Sequence, residues 1–247
     1  MVWDENGVRK YERWYETATG GFAFQTERRL VERLISGWQR RGCTLLEIGC
    51  GPGFFLKAFW ETGFEVSGLD ENPYMLAAAR RRLGPKASFH VGQAGHLPFE
   101  DNEFDYASLI TVLEFTSEPA RILLEAARVA KKGLLVGYLN RRSLYYLEKG
   151  RVKPDAPKPG SLRLAHWFTP CEMRRLVRSC LGARPMQGGS VLPGPFWTWR
   201  DGLPWRWINA PVLPLGLGAF CALRIDLEGD EAMTPLMAFE TEPKPTG

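Results

Sequence analysis

Apolar positions change their period along this chain, and the changes divide it. Leu30, Leu34, Ile35 and Trp38 recur at helical spacing among Glu27, Arg28, Glu32 and Arg33, which predicts a helix. Trp3, Tyr11, Trp14 and Tyr15 precede it, across a polar turn over 17–21, so residues 1–42 read as an N-terminal helical extension. From Thr44 to Ile48 a mostly apolar run stops at glycines, and Phe54, Phe55, Leu56, Phe59 and Trp60 resume at helical spacing. That order is strand, tight turn, helix.

The alternation continues, with strands predicted at 64–69, 87–91, 104–111 and 134–139 and helices at 73–83 and 118–130. Strands alternating with helices imply a parallel sheet with crossovers. After Asn140 the regularity falls away. Three prolines within 153–160 mark an exposed loop, and Thr169-Pro170-Cys171-Glu172 predicts a capping box opening another helix. Two more strands are predicted at 183–187 and 219–225, separated by a Trp- and Pro-rich insert at 191–215. The sheet-bearing domain thus covers 43–227. Residues 228–247 form an acidic, proline-bearing tail whose end is expected to be disordered.

Composition narrows the class. In 247 residues, 45% are hydrophobic and 24% charged, ordinary for one globular α/β domain with additions. The net charge of +4 forms no contiguous basic stripe, so nucleic acid is not the expected partner. Cys43, Cys50, Cys171, Cys180 and Cys221 are scattered, without C-x-x-C or His/Cys zinc spacing; no metal site and a reducing cytoplasm are expected. The start of the chain lacks a basic region followed by an apolar run, so no signal peptide is expected. The longest uncharged stretch, 207–223, is broken by prolines and glycines and reads as loop plus strand, not a membrane span.

The candidate chemistry begins at Glu47-Ile48-Gly49-Cys50-Gly51-Pro52-Gly53. A glycine turn between strand and helix lets the backbone approach a ligand closely and presents free N–H groups to it. The G-x-G-x-G spacing with an immediate helix suits an adenosyl-amino acid better than the pyrophosphate of a G-x-G-x-x-G turn. Asp70 ends the second strand, where ligands of open parallel sheets bind, and its carboxylate can accept from both ribose hydroxyls. Its other reading is as cap of the helix starting at Pro73.

Together, LLEIGCGPGFF, VSGLDENPYMLAAAR and VGQAGHLPFEDNEFDYASLITVLEF are similar to three successive motifs of the class I methyltransferases that use S-adenosylmethionine (SAM), in the branch with small-molecule and quinone-biosynthesis enzymes. The likeness covers about 47–139, and HWFTPCEMRRLV resembles the family's post-sheet helix. The resemblance implies a Rossmann-like, doubly wound, mostly parallel seven-stranded sheet with an antiparallel last strand. It implies that Gly49, Cys50, Gly51 and Gly53 line the methionine part of SAM, that Glu47 steadies the turn, and that Asp70 holds the ribose with Glu71 and Asn72 beside it. Gln93 and Ala94 stand where the family usually has Asp-Ala at the adenine. Gln93 keeps an acceptor oxygen but loses the charge. Thr111 and Val112 fall beside the sulfonium and the methionine carboxylate.

Methyl transfer works mainly by holding a nucleophile in attack geometry, and only some acceptors need a general base. His166 is the base candidate among three histidines; its other reading is structural. Glu114 either faces the acceptor or is an exposed loop acid. Tyr15, with Tyr11 and Trp14, belongs to the element expected to fold over the active site. Trp197, Trp199, Trp205 and Trp207 suggest an acceptor pocket or lid, a cage for a cationic amine, or a patch for a protein or membrane surface. The leading reading is a SAM-dependent enzyme, monomeric or homodimeric, methylating a small, apolar or aromatic acceptor. The alternative is a non-catalytic SAM- or S-adenosylhomocysteine-binding regulatory or assembly protein. A nicotinamide dehydrogenase would need the longer glycine spacing, and a metalloid methyltransferase would need cysteines grouped at the pocket.

Overall fold

A computed structural model describes residues 4–151 and 161–228, except the side chains of 161 and 163. The Pro-rich loop expected at 153–160 and nearly all of the tail lie outside them. Two helices open the described chain. The first, α1 (Glu5–Glu16), is capped by the Asp4 carboxylate accepting from Gly7 N–H; α2 (Ala18–Leu34) is capped by Thr17. The predicted five-residue turn therefore shrinks to Thr17 alone, whose hydroxyl caps the second helix at once.

The expected alternation follows: β1 (Thr44–Ile48), α3 (Phe54–Glu61), β2 (Glu65–Asp70), α4 (Pro73–Leu83), β3 (Ala87–Val91), β4 (Phe104–Ile110), α5 (Pro119–Val129), β5 (Ala130–Leu139), the short α6 (Ser161–Leu164), α7 (Pro170–Leu181), β6 (Met186–Val191), the short α8 (Trp205–Asn209) and β7 (Phe220–Asp226). The seven strands are ordered β3-β2-β1-β4-β5-β7-β6, with β7 antiparallel to both neighbours and the remaining ladders parallel. The sequence direction reverses between β1 and β4, and such a switch point leaves a crevice beyond the strand ends.

Two apolar layers cover the sheet. On one face α2, α3 and α4 contribute Leu30, Val31, Leu56, Phe59 and Leu76 against Leu45, Tyr106 and Leu135. On the other, α5 and α7 bring Leu123, Ala126, Met173 and Val177 onto Leu46, Leu109 and Val136. The Thr169–Glu172 capping box forms as predicted. Two boundaries move. β5 starts at Ala130, directly after α5, because Lys131 and Lys132 belong to the strand and Lys132 pairs with Asp105 at 2.7 Å. β6 lies later than 183–187 and runs through Gly188 and Gly189, where a Cβ would strike Leu215 and Leu223, or Leu30 and Val212. The insert begins at the end of β6 and contains α8.

Candidate active site

Each part of the glycine turn has a physical reason. Gly49, Gly51 and Gly53 have φ of +70°, +52° and +79°, a region L side chains rarely adopt. A Cβ on Gly49 would lie 2.6 Å from Val112 Cγ2, and one on Gly53 3.1 Å from Ala79 Cβ. A Cβ on Gly51 would meet nothing within 4 Å, because that residue faces open space. Gly49 and Cys50 both donate N–H to Leu69 O, at 2.7 and 3.0 Å, tying the turn to the end of β2. Burial pushes the Cys50 thiol up and keeps it neutral.

Asp70 closes the turn. Its Oδ2 accepts Gly51 N–H at 2.8 Å and its Oδ1 accepts Asn72 N–H at 2.8 Å. Desolvation raises its pKa, and the two backbone donors oppose the rise. Asp70 does not cap α4: Asn72 does, accepting from Tyr74 and Met75. Asp70 is left at the strand end with lone pairs to offer, and the exposed Glu71 lines the space beside it.

These residues line one end of a cavity of about 1250 Å³. Glu47, Gly49, Cys50, Gly51, Asp70, Glu71, Gln93, Ala94 and Thr111 all contribute to its wall, whereas Gly53 packs behind the turn. Glu47 is buried, Oε2 has no partner, and burial followed by the charge of Asp70 holds its pKa well above the usual carboxylate range. An orphaned buried acceptor on a cavity wall fits a ligand that brings a cationic or N–H donor. Thr111 is left-handed at φ +52°, a strained conformation for a β-branched residue, with its hydroxyl donating to Ile110 O at 2.8 Å. The 93–99 loop is held from behind by Arg128, which donates to Leu97 O and Phe99 O and pairs with Glu125; Arg128 is the main reason the Glu125 pKa falls to about 2.

The other end is aromatic. Tyr11, Trp14 and Tyr15 from α1 line it with Tyr145, Trp199 and Phe220. Tyr15 stacks on Phe54 with centroids 4.0 Å apart, and its hydroxyl shares a 2.9 Å hydrogen bond with Tyr11. Desolvation by burial keeps the Tyr15 phenol well above its ordinary pKa and thus neutral. α1 is fastened over the site by Val8 packing on Met75 and Ala78, and by Glu12 against Arg82, whose guanidinium lies 3.8 Å over Phe54 and donates to Pro52 O.

Three expectations change here. His166 is exposed, packs edge-on against Phe168 and stands outside the cavity wall; the backbone, not the ring, makes its link to Glu114. Glu114 neither lines the cavity nor lies in an exposed loop. It is buried behind the wall, Oε1 accepts Leu139 N–H at 2.7 Å, and desolvation lifts its pKa to about 7. Of the four tryptophans in the insert, Trp199 alone lines the cavity, its Nε1 donating to Gly194 O, while Trp197 and Trp207 are 61% and 75% exposed.

One cavity residue was not singled out from the sequence. Glu27 lines the cavity from the middle of α2, and burial raises its pKa to about 8. The signal was in the sequence: Glu27 stands one turn from Ala23 and from Leu30 and Val31, on the apolar stripe itself. No group of His, Cys, Asp and Glu among the described residues is placed to hold a metal.

Comparison with known proteins agrees with this geometry. A family model described as "Methyltransferase domain" matches residues 46–136. An uncharacterized protein of Methanocaldococcus jannaschii is 34% identical over 138 residues, 55% of this chain and 60% of that protein. An uncharacterized methyltransferase of Mycolicibacterium gilvum is 33% identical over 102 residues, covering 41% of this chain and 40% of the relative. The chain therefore spans only about half the length of such curated relatives. The crystal structure of a SAM-dependent methyltransferase from Thermotoga maritima, described as a possible histamine N-methyltransferase, superposes with a TM-score of 0.71 at 26% identity over 91% of this chain and 98% of that one. With the three motifs on β1, β2 and the loop before β4, the chain carries a class I SAM-dependent methyltransferase domain.

Proposed function

We propose that this protein transfers a methyl group from SAM to a small acceptor with an apolar or aromatic body. The observation that carries the reading is the single cavity joining the glycine turn and Asp70 to the aromatic wall of α1, Tyr145 and Trp199. At about 1250 Å³ it exceeds the roughly 300–1,000 Å³ of ordinary ligand pockets, which leaves room for two ligands end to end. The donor supplies a methyl carbon already activated on a sulfonium.

The chain's own work is binding, orientation and exclusion of water. Asp70, with free lone pairs on both oxygens, suits the vicinal hydroxyls of a ribose. Glu47 Oε2 suits the ammonium of the methionine part, and the open approach at Gly51 admits it. Gln93 and Ala94, clamped through Arg128, suit the adenine edge. Tyr11, Tyr15, Trp14 and Trp199 shield the reacting end from water. Two assays test this reading: calorimetry with S-adenosylhomocysteine (SAH), and SAH release from SAM over a panel of aromatic acceptors. Binding without turnover on every acceptor would favour the non-catalytic alternative; heat with NAD and none with SAH would overturn both.

A further inference from the structure

The aromatic end of the cavity contains a carboxyl with no counterpart. Among the described residues the Glu27 side chain makes no hydrogen bond and no ion pair. The cations on the cavity wall, Lys10 and Arg121, are exposed; Arg121 pairs with Glu118 and neither pairs with Glu27. Glu27 is half-buried on a wall rich in aromatic side chains and has no protein partner, so a cationic group that reaches it finds an acceptor free to pair.

Its surroundings define that partner. Burial is the main cause that raises the phenols of Tyr11, Tyr15 and Tyr145, and the charge of Glu27 adds to all three, with Glu47 adding at Tyr11 and Tyr15 and Asp70 at Tyr11. The phenols that Glu27 acts on, from α1 and the segment after β5, are neutral, and Glu47 and Asp70 line the same cavity. Ring faces attract cations, and more strongly when water is excluded. A carboxylate that shares its cavity wall with Tyr11, Tyr15, Tyr145, Trp14 and Trp199 fits an ammonium carried on an apolar or aromatic body, and disfavours a carboxylate- or phosphate-bearing one.

We infer that the acceptor carries an amino group and that Glu27 is the residue that binds it as the ammonium, an inference that rests on the methyltransferase reading above and concerns recognition of the acceptor. Near neutral pH the Glu27 carboxyl is largely protonated, so an arriving ammonium displaces that proton. Amine binding is then coupled to proton release, and a neutral analogue of the same shape gains nothing from Glu27.

The test is calorimetry on the full chain saturated with SAH at pH 7, titrated with 2-phenylethylamine and tryptamine and with their alcohol counterparts, in two buffers of different ionisation heat. Each amine is expected to bind at least about tenfold more tightly than its alcohol, with proton release approaching one. Glu27→Gln is expected to abolish both the preference and the release while leaving SAH affinity unchanged. Equal affinity for amine and alcohol, a preference that survives Glu27→Gln, or no amine binding to SAH-loaded protein would each overturn the assignment. Failure of SAH itself to bind would instead overturn the cofactor reading beneath it.

Discussion

Asp70 Oδ2 accepts the Gly51 N–H at 2.8 Å, so the acid that suits the ribose also fixes the shape of the glycine turn. Asp70→Ala is expected to lose both roles, weakening SAH affinity at least about tenfold, the order expected of a hydrogen bond to a charged group. Asp70→Asn keeps one acceptor and should fall between. Calorimetry with SAH checks the ranking, and wild-type affinity in Asp70→Ala would contradict it.

Gly49 sits under Val112. Gly49→Ala places a methyl 2.6 Å from Val112 Cγ2 at a φ of +70°, an overpacked and strained position that costs about 1–3 kcal/mol. Adding Val112→Ala should recover the steric part and leave the backbone part. Urea unfolding of the single and double variants measures the coupling, and additive losses would mean the contact is not the cause.

Glu114 acts as a tether. Glu114→Gln keeps an acceptor for Leu139 N–H and should change SAH affinity and turnover less than about twofold, whereas Glu114→Ala leaves that buried donor bare and should destabilise by about 1–3 kcal/mol. His166→Ala, at an exposed position outside the cavity, should leave turnover within twofold of wild type. A loss of a hundredfold at either Glu114→Gln or His166→Ala would restore a chemical role.

Glu27 and Glu114 impose a pH dependence on stability. Their folded pKa values, about 8 and about 7, lie above the ordinary 4.5. The folded state therefore holds protons that the unfolded chain has already lost, and stability falls as pH rises from about 4.5 to about 8. Glu27→Gln should flatten the upper part of that fall and raise the melting temperature at pH 8.5, by an amount corresponding to no more than about 2 kcal/mol for a half-buried carboxyl. Thermal melts from pH 5 to 8.5 decide it; parallel curves would show that Glu27 titrates normally.

Trp199 and Trp197 are close in sequence but differ in burial, at 2% and 61% exposed. Trp199→Ala should cost about 3–5 kcal/mol and open the cavity wall, while Trp197→Ala should stay within about 0.5 kcal/mol. Chemical denaturation compares them directly.

The strand–turn–helix units were legible because one pattern serves both the fold and the cavity: the residues that end β1 and β2 also line its wall. β6 was displaced because Gly188 and Gly189 look like turn residues, whereas here their missing side chains let α2 and the insert pack against the strand. Glu27 was hidden by its neighbours Arg28 and Glu32, which do form an ion pair at 2.6 Å; only the packing of α2 against β6 and β7 turns Glu27 inward. His166 and Glu114 were misplaced because sequence order locates a loop but not the side of it that faces the cavity. Gln93, which departs from the family's usual Asp, lies on the cavity wall where that Asp was expected.

The most direct measurement is the titration of the full chain with SAH, beside Asp70→Ala and beside NAD. The account predicts one site per chain for SAH, a loss of at least about tenfold in the variant, and no heat with NAD. No binding of SAH, or equal binding to wild type and Asp70→Ala, would contradict it.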